Sequence, residues 1–245
     1  MPKKVDATEI VGIVLPAYNE GKVIGKVIDN IPKSISFGGQ HFDIKIIVVN
    51  DGSSDSTASE VKKRPQVILI NHLLNSGAGA ATRTGLHYAY EIGCEYVVMM
   101  DSDGQHSVKD VKKLINSIVT NEADLILGSR LKQAGGNMSP VKKVGNFGLS
   151  ITTFLLLGVY VSDSQSGLRA FNRKALVKSD YHSNNYAHCS EMLWKAHQAR
   201  LRIKEIPIEA IYTEYSISRG QKNLTGAIEI IKQLVKRRFL GFING

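Results

Sequence analysis

Short β-branched apolar runs alternate with helical patterns through the first half of this 245-residue chain. The candidate strands are Ile10–Leu15, Ile44–Val49, Val67–Ile70, Tyr96–Met100 and Leu125–Leu127. Such alternation is typical of parallel βαβ units, in which each helix returns the chain to the same side of a sheet. We therefore expect an α/β fold with a Rossmann-like, mostly parallel sheet flanked by helices.

Helix signals follow the predicted strands. Apolar residues recur at helical spacing within Gly21–Ile31, and Thr57–Glu60 has the form of a capping box. Small residues at Gly77–Ala81 open the next helix, and Ser107 can cap the one after it.

Three strand ends carry polar loops, Pro16–Glu20, Asp51–Asp55 and Asp101–His106. Parallel strands bring their carboxyl ends to one edge of the sheet, and open α/β sheets bind ligands in the crevice at that edge. The pattern predicts a nucleotide-binding class of protein with its site at these three loops.

Asp101-Ser102-Asp103 follows a buried apolar strand directly. Two carboxylates one residue apart can hold a hard divalent cation, which bridges diphosphate oxygens and neutralises a departing nucleotide. Gln105 supplies a further oxygen ligand. The alternative interpretation is a solvated surface turn, and the position after a buried strand favours the metal site.

Asp51–Asp55 also ends a β-branched strand. A carboxylate there can accept hydrogen bonds from a base or a ribose. Asp, Gly and Ser form turns without any ligand, so this motif alone leaves the two interpretations open.

The formal charge of +9 favours an anionic partner such as a nucleotide or an acidic lipid headgroup. Basic residues interleaved with aromatics on a recognisable platform are absent, so we expect no nucleic-acid partner. Cys94 and Cys189 lie far apart and are interpreted as structural thiols in a reducing compartment. No secretory signal follows Met1, which predicts a cytoplasmic protein.

Two segments bear on membrane contact. The uncharged stretch Gly145–Val161 falls just short of the roughly 18 to 20 apolar residues of a spanning helix, which predicts a buried or interfacial segment. The segment Leu224–Leu240 combines helically spaced apolar residues with a basic side. Such a helix can lie on an anionic membrane or dock on the catalytic domain, and the pattern fits both.

Five motifs in order then resemble glycosyltransferase family 2, and especially its dolichol- or polyprenyl-phosphate sugar transferases. They are Val14–Glu20, Asn50–Asp55, Asp101–His106, Gly128–Arg130 and Ser166–Phe171. The resemblance runs from about Val11 to Lys222. It implies a GT-A catalytic domain over residues 1–215, followed by a basic loop and an amphipathic C-terminal helix over 216–245.

The resemblance also implies an inverting sugar transfer that uses Mg²⁺ or Mn²⁺, and it assigns roles by motif. The nucleotide-sugar contacts carried over are Pro16, Tyr18, Glu20, Val49, Asp51, Asp101 and Ser102, with Arg219 and Lys222 as a mobile clamp over the diphosphate. Asp101, Asp103 and Gln105 would serve the metal. Asp103 and Arg130 are the catalytic candidates, because positioned cations stabilise the charge of the leaving diphosphate.

The acceptor decides whether a base is needed. A lipid phosphate is already anionic at neutral pH and requires alignment only. A sugar or protein hydroxyl needs a nearby carboxylate, and Glu191 is then the candidate base; otherwise it is an ordinary exposed helix residue. Arg169 either binds the acceptor or forms an ion pair with Asp163.

We therefore expect transfer of a hexose-type sugar from a UDP- or GDP-linked donor to a polyprenyl or dolichyl phosphate. The protein is expected to be peripheral on the cytoplasmic membrane face, attached by itself or through a membrane-protein partner. One departure from the family pattern is Asn50, where relatives often carry Asp. The competing functions are nucleotidyl transfer, for which the loop Pro16–Glu20 lacks glycine-rich basic character, and a non-enzymatic membrane- or nucleic-acid-binding module.

Overall fold

The computed structural model describes residues 9–132, 140–185, 187–209, 211, 232 and 235. Arg219, Lys222 and nearly all of 216–245, with the predicted clamp and C-terminal helix, lie outside the described residues. The elements are β1 Glu9–Ala17, α1 Ile24–Asn30, β2 Ser34–Phe37, β3 Gln40–Asp51, α2 Thr57–Lys62, β4 Ile68–His72, α3 Ala78–Glu91, β5 Tyr96–Met99, α4 Val108–Val119, β6 Leu125–Ser129, α5 Pro140–Leu157, β7 Arg169–Asn172, α6 Arg173–Lys178, α7 His188–Gln198 and β8 Ile203–Pro207.

One sheet carries all eight of these strands in the order β2-β3-β1-β5-β7-β6-β8, with β4 also paired to β3. Strands β1, β3, β4 and β5 pair in parallel, as do β6 and β8, whereas β2 and β7 run antiparallel to their neighbours. The predicted mostly parallel α/β sheet is confirmed. Strands β1, β3, β5 and β6 thus end at one edge, where the polar loops emerge.

Helices cover both faces of the sheet because the strands alternate apolar side chains between them. Ile46 and Val48 of β3 pack with α1, α2 and α4. Ile47 and Val49 of the same strand pack with α3, α6 and α7. The result is a three-layer sandwich with the polar loops at one edge of its central sheet.

Two helix starts show how local signals act. Ser107 caps α4 as predicted: its hydroxyl accepts the backbone N–H of Asp110 and donates to the Asp110 carboxylate. Helix α2 begins at Thr57, but the predicted capping box is wrong, because Ser56 is the N-cap and makes no side-chain cap bond. The Thr57 hydroxyl instead accepts the backbone N–H of Glu20 and donates to Asp55.

Helix α5 turns its apolar side outward. Val144, Phe147 and Leu155 are exposed, the last at 73%, whereas the hydroxyls of Ser150 and Thr153 are buried against the protein. The Ser150 hydroxyl donates to the Ser162 carbonyl at 3.1 Å, and that of Thr153 lies 3.4 Å from Ser190. Part of the predicted interfacial stretch Gly145–Val161 is thus an exposed apolar face. Within the described ranges, no helix is both long and apolar enough to cross a bilayer.

Candidate active site

Asn19 joins the loop after β1 to the loop after β3. Its φ of 55° is in the left-handed region, which Asn tolerates better than most residues. Its N–H donates to the Ser53 hydroxyl at 2.9 Å, and its Oδ1 accepts the backbone N–H groups of Ser54 at 2.9 Å and Asp55 at 3.3 Å. The first two polar loops therefore form one hydrogen-bonded unit.

Ser102 connects the third loop to the first. Its hydroxyl is buried and donates to the carbonyl of Pro16 at 2.7 Å. Between these contacts Tyr18 is 43% exposed, whereas Glu20 is buried. The structure thus gathers Pro16, Tyr18, Glu20 and Ser102 at one sheet edge, and their contacts with a nucleotide sugar stay a prediction.

Asp51 is bonded to the turn that precedes α3. Its carboxylate lies 2.7 Å from Nδ1 of His72 and accepts the backbone N–H groups of Ser76 and Gly77, both at 2.9 Å. Only 3% of the side chain is exposed. Its predicted contact with a nucleoside stays a prediction, and its observed role is to hold the turn before α3.

Val49 is not available to a ligand. The whole residue is inaccessible, because the alternation of β3 turns its side chain into the core beneath α3. A Cβ on Gly85 of α3 would lie 3.2 Å from a methyl group of Val49, so the helix packs directly over this residue. The predicted contact of Val49 with a nucleoside stays a prediction, and the observed role of its side chain is in the core.

Asp101 and Asp103 lie together in the loop after β5. The Asp103 carboxylate accepts the backbone N–H of Gln105 at 2.9 Å and its side-chain amide at 2.6 Å. Oδ2 of Asp101 lies 3.5 Å from Nε2 of His106, and 51% of the Asp101 side chain is exposed. The Asp101 side chain is thus half exposed to solvent, although many protein atoms lie around it.

The two carboxylates have opposite electrostatics. Burial and the nearby Asp101 carboxylate raise the pKa of Asp103 above its ordinary value. Burial also acts to raise the pKa of Asp101, but the close polar contact with His106 and the positive charges of His106 and Arg130 outweigh it and lower that pKa. A cation placed between the carboxylates would relieve their mutual repulsion.

Gly167 fixes how close the chain can approach Asp101. A Cβ on Gly167 would overlap both carboxylate oxygens of Asp101. The residue lies in the segment that leads into β7. Because β7 pairs with β5, this segment lies against the loop Asp101–His106, called the metal loop below. The glycine of the Ser166–Phe171 motif is therefore required by close packing against the site.

These residues fit a divalent cation that arrives with its substrate. Carboxylate and amide oxygens are the ligands that hard cations prefer, and Mg²⁺ is commonly bound by one or two carboxylates plus substrate phosphates. Among the described residues no group of three or more His, Cys, Asp or Glu side chains forms a complete metal cage. Asp101, Asp103 and Gln105 would hold such an ion only in part, which leaves positions for diphosphate oxygens.

Arg130 is held by Asp163 beside the carboxylates. Its Nε and Nη2 donate to the two carboxylate oxygens of Asp163 at 2.7 and 2.9 Å, and its backbone N–H donates at 3.1 Å. Asp163 is fully buried, so this bidentate pair orients the guanidinium firmly. Arg130 lowers the pKa of Asp101, which shows that its charge acts within the site.

Arg169 has a different role from either prediction. Its guanidinium is completely buried and donates to the backbone carbonyls of Ser164, Ser166 and Cys189 at 2.7 to 3.1 Å. The predicted ion pair with Asp163 is wrong, because Arg130 is the partner of that carboxylate. The predicted acceptor contact is also wrong, because no part of Arg169 reaches the surface.

Glu191 is buried, so its interpretation as an exposed helix residue is wrong. Its carboxylate accepts the backbone N–H groups of His182 and Ser183 at 3.2 and 2.9 Å. The adjoining carbonyl of Asn184 in turn accepts the N–H of Gly79 in the first turn of α3. Glu191 therefore anchors a loop, and its buried carboxylate is directed at backbone N–H groups.

Comparisons with known proteins show the family of this chain. Residues 12–179 match the family described as Glycosyl transferase family 2. The chain is 41% identical over 240 residues to a UDP-N-acetylglucosamine–dolichyl-phosphate N-acetylglucosaminyltransferase of Methanococcus voltae, covering 90% of this chain and 93% of the relative. It is 31% identical to a dolichyl-phosphate beta-glucosyltransferase of Trichomonas vaginalis, covering 94% of this chain and 73% of that protein.

A solved structure supports the fold. Glucosyl-3-phosphoglycerate synthase from Mycobacterium tuberculosis, in complex with Mn²⁺, uridine diphosphate and glucosyl-3-phosphoglycerate, superimposes with a TM-score of 0.69 at 20% identity. The match covers 94% of this chain and 80% of that one. The protein belongs to glycosyltransferase family 2 and has the predicted GT-A fold. It is a glycosyltransferase, which excludes nucleotidyl transfer and a purely non-enzymatic module.

Sequence reasoning assigned no role to Asn19 or Gly167, and it paired Asp163 with the wrong arginine. Asn19 and Gly167 act through contacts with residues far away in the chain, and Asp163 acts by pairing with Arg130. Gly167 lies inside a family motif, but the motif does not show that Gly167 packs against Asp101. The left-handed backbone of Asn19, which lets its side chain join the first two polar loops, is visible only in the structure.

Proposed function

We propose that the protein is an inverting glycosyltransferase that moves a sugar from a nucleoside-diphosphate donor to a polyprenyl or dolichyl phosphate. The observation that carries the proposal is that the Asp101 and Asp103 carboxylates lie together in one loop, where the charge of Arg130, which Asp163 orients, acts on Asp101. Such an arrangement suits a diphosphate leaving group, since positioned cations stabilise charge that develops during bond cleavage.

The donor is held at the sheet edge. A divalent cation, Mg²⁺ or Mn²⁺, neutralises the leaving diphosphate when it is bound with the donor. Tyr18 and Glu20 lie beside the metal loop, where they can contact the nucleoside. UDP-N-acetylglucosamine is the first donor to test, because the relative from Methanococcus voltae is named for it.

The acceptor needs no general base. An oxygen of the lipid phosphate forms the new bond to the anomeric carbon, while the bond from that carbon to the diphosphate breaks and the electron pair leaves with it. Both oxygens of Glu191 accept backbone N–H groups. A hydroxyl acceptor would need Glu191 as its base, but this carboxylate anchors a loop. We therefore favour the phosphate acceptor, which needs no base.

Helix α5 is the proposed membrane contact. Its exposed apolar face would gain about 1.5–3 kcal/mol for each large side chain that enters the bilayer interface. No Asp or Glu occurs between Asp124 and Asp163, whereas Arg130, Lys132, Lys142 and Lys143 do. This charge pattern suits an anionic membrane surface. Attachment through residues 216–245 or through a membrane-protein partner stays a proposal. The cytoplasmic membrane face is also a proposal, which the two buried free thiols favour because thiols stay reduced in the cytoplasm.

A donor and acceptor panel tests the proposal. UDP- and GDP-linked sugars are supplied with Mn²⁺ or Mg²⁺ and polyprenyl phosphate in liposomes, and both the nucleoside diphosphate and the glycolipid are measured. We expect transfer from at least one donor, loss of transfer when the metal is chelated, and inversion at the anomeric carbon. Transfer only to a saccharide or a protein hydroxyl would contradict the lipid-phosphate acceptor.

A further inference from the structure

His106 is buried beside the paired carboxylates without a hydrogen bond of its own. Only 4% of its side chain is exposed, and neither ring nitrogen has a hydrogen-bond partner among the described residues. The residue lies between Gln105 of the metal loop and Ser107, the N-cap of α4. Its backbone position is therefore fixed on both sides.

A buried imidazole without a partner is unfavourable. Leaving a buried polar group unbonded costs roughly 1–3 kcal/mol, and most such groups in folded proteins are satisfied. A histidine that only filled space would be replaced at no loss by an apolar side chain. The position of His106 thus calls for a hydrogen-bond partner within the site.

Asp101 is the nearest acceptor. Nε2 of His106 lies 3.5 Å from Oδ2 of Asp101, just beyond the 2.7 to 2.9 Å of a typical charge-assisted N–H···O bond. Gly167 packs against the same carboxylate and limits where it can move. Hydrogen bonds in substrate-free sites are often long and shorten when the substrate complex forms.

We infer that His106 is a positioning residue, which donates from Nε2 to Asp101 and holds that carboxylate in its metal-binding orientation. The inference rests on the proposed metal-dependent binding of the donor. Groups that hydrogen-bond to metal-ligating carboxylates commonly change metal affinity by about 10–100-fold when they are removed. His106 would act in this way without contacting the cation.

Two substitutions separate positioning from a structural role. His106→Leu removes the donor but keeps an apolar volume, and His106→Gln places an amide N–H at a similar distance from the backbone. We expect His106→Leu to weaken Mn²⁺ binding by roughly tenfold or more and His106→Gln to stay within about threefold of wild type. Because the imidazole is unbonded, the melting temperature of His106→Leu should be unchanged or higher.

Electron paramagnetic resonance of free Mn²⁺ measures binding without turnover. Full-length protein is titrated with Mn²⁺ in the presence of UDP or GDP, and thermal unfolding is followed on the same samples. His87→Leu is the matched control, because His87 is an exposed histidine that lies 3.0 Å from Asp180 on the outer surface. This control should bind Mn²⁺ as wild type does.

The outcomes distinguish failure of the positioning role of His106 from failure of the proposed metal-dependent function. Wild-type affinity in His106→Leu overturns the inference, and so does a lowered melting temperature together with a loss of affinity that His106→Gln fails to restore. If the wild-type protein itself binds no Mn²⁺ with either nucleotide, the proposed metal-dependent function fails instead. Weaker binding in His106→Leu with unchanged stability supports the positioning role.

Discussion

The donor site and helix α5 are built in opposite ways. On the donor side, the loops after β1, β3 and β5 are bonded to one another through Asn19, Thr57 and Ser102. Helix α5 instead bonds the hydroxyls of Ser150 and Thr153 to the protein and leaves one apolar face, which includes Val144, Phe147 and Leu155, exposed to solvent. The donor site is thus preorganised by internal contacts, whereas the α5 surface is defined by what the fold leaves uncovered.

This difference separates two kinds of loss. A change on the donor side should reduce chemistry and leave membrane binding intact. A change on the exposed face of α5 should reduce membrane binding and leave the cleft intact.

Asp103→Ala should give the largest effect, a loss of at least about 10³-fold in kcat/KM, because a carboxylate that would hold the cation is removed. The measurement is nucleoside diphosphate release with polyprenyl phosphate present. Liposome binding by the same variant should equal that of wild type. Unchanged turnover would contradict the metal assignment.

Gly167→Ala should lower kcat/KM by roughly 100-fold, because the new Cβ overlaps the Asp101 carboxylate and a displacement of about 1 Å can cost that much. Steady-state kinetics and Mn²⁺ titration check the result. Gly148→Ala in α5 is the matched control: a Cβ there meets no atom within 4 Å, and the change should stabilise the helix by about 0.5–1 kcal/mol. Full activity in Gly167→Ala would show that the close contact is irrelevant.

Replacing both Phe154 and Leu155 by Ser should weaken binding to anionic liposomes by roughly tenfold or more, because two exposed apolar side chains of α5 are lost. Cosedimentation with liposomes measures this. Activity on a short, water-soluble polyprenyl phosphate should stay near that of wild type. Val177→Ser, an exposed apolar residue on α6, serves as the control and should bind liposomes normally; equal losses in both variants would contradict a specific role for α5.

Asp124→Asn should leave catalysis at the donor site and membrane binding by α5 unaffected and should change only the stability of the fold. The hydrogen bond from Arg202 holds the pKa of Asp124 well below its usual range. A depressed folded-state pKa contributes stability above the unfolded value of about 3.9, and that stability is lost as the pH falls through the folded value. The melting temperature of the variant should be lower by roughly 2–4 °C at pH 7, and the difference should shrink below about pH 4. A difference independent of pH would contradict this ion pair as its cause.

The sheet and the metal loop could be predicted from the sequence because their signals are local. β-branched runs marked the strands, and Asp101-Ser102-Asp103 followed one of them directly. Long-range pairing could not be predicted in this way. Asp163 offered two possible arginine partners, and only the antiparallel placement of β7 buries Arg169 in the sheet and leaves Arg130 to pair with it.

Burial accounts for two further features that local patterns did not reveal. Val49 ends an apolar strand beside a polar loop, but the alternation of side chains turns it inward. Glu191 follows the pattern of a surface helix residue, and the loop at His182 covers it. Whether a charged side chain is covered depends on a distant segment, which helical spacing alone does not reveal.

The most direct test compares two lipids that differ only in their head group. Polyprenyl phosphate and the corresponding polyprenol are offered in identical liposomes with Mn²⁺ and the donor selected by the panel, and labelled sugar in the lipid fraction is measured. The account predicts transfer to the phosphate and none to the alcohol. Transfer to the alcohol at a similar rate would mean that a hydroxyl is activated in the cleft, which would contradict the acceptor assignment.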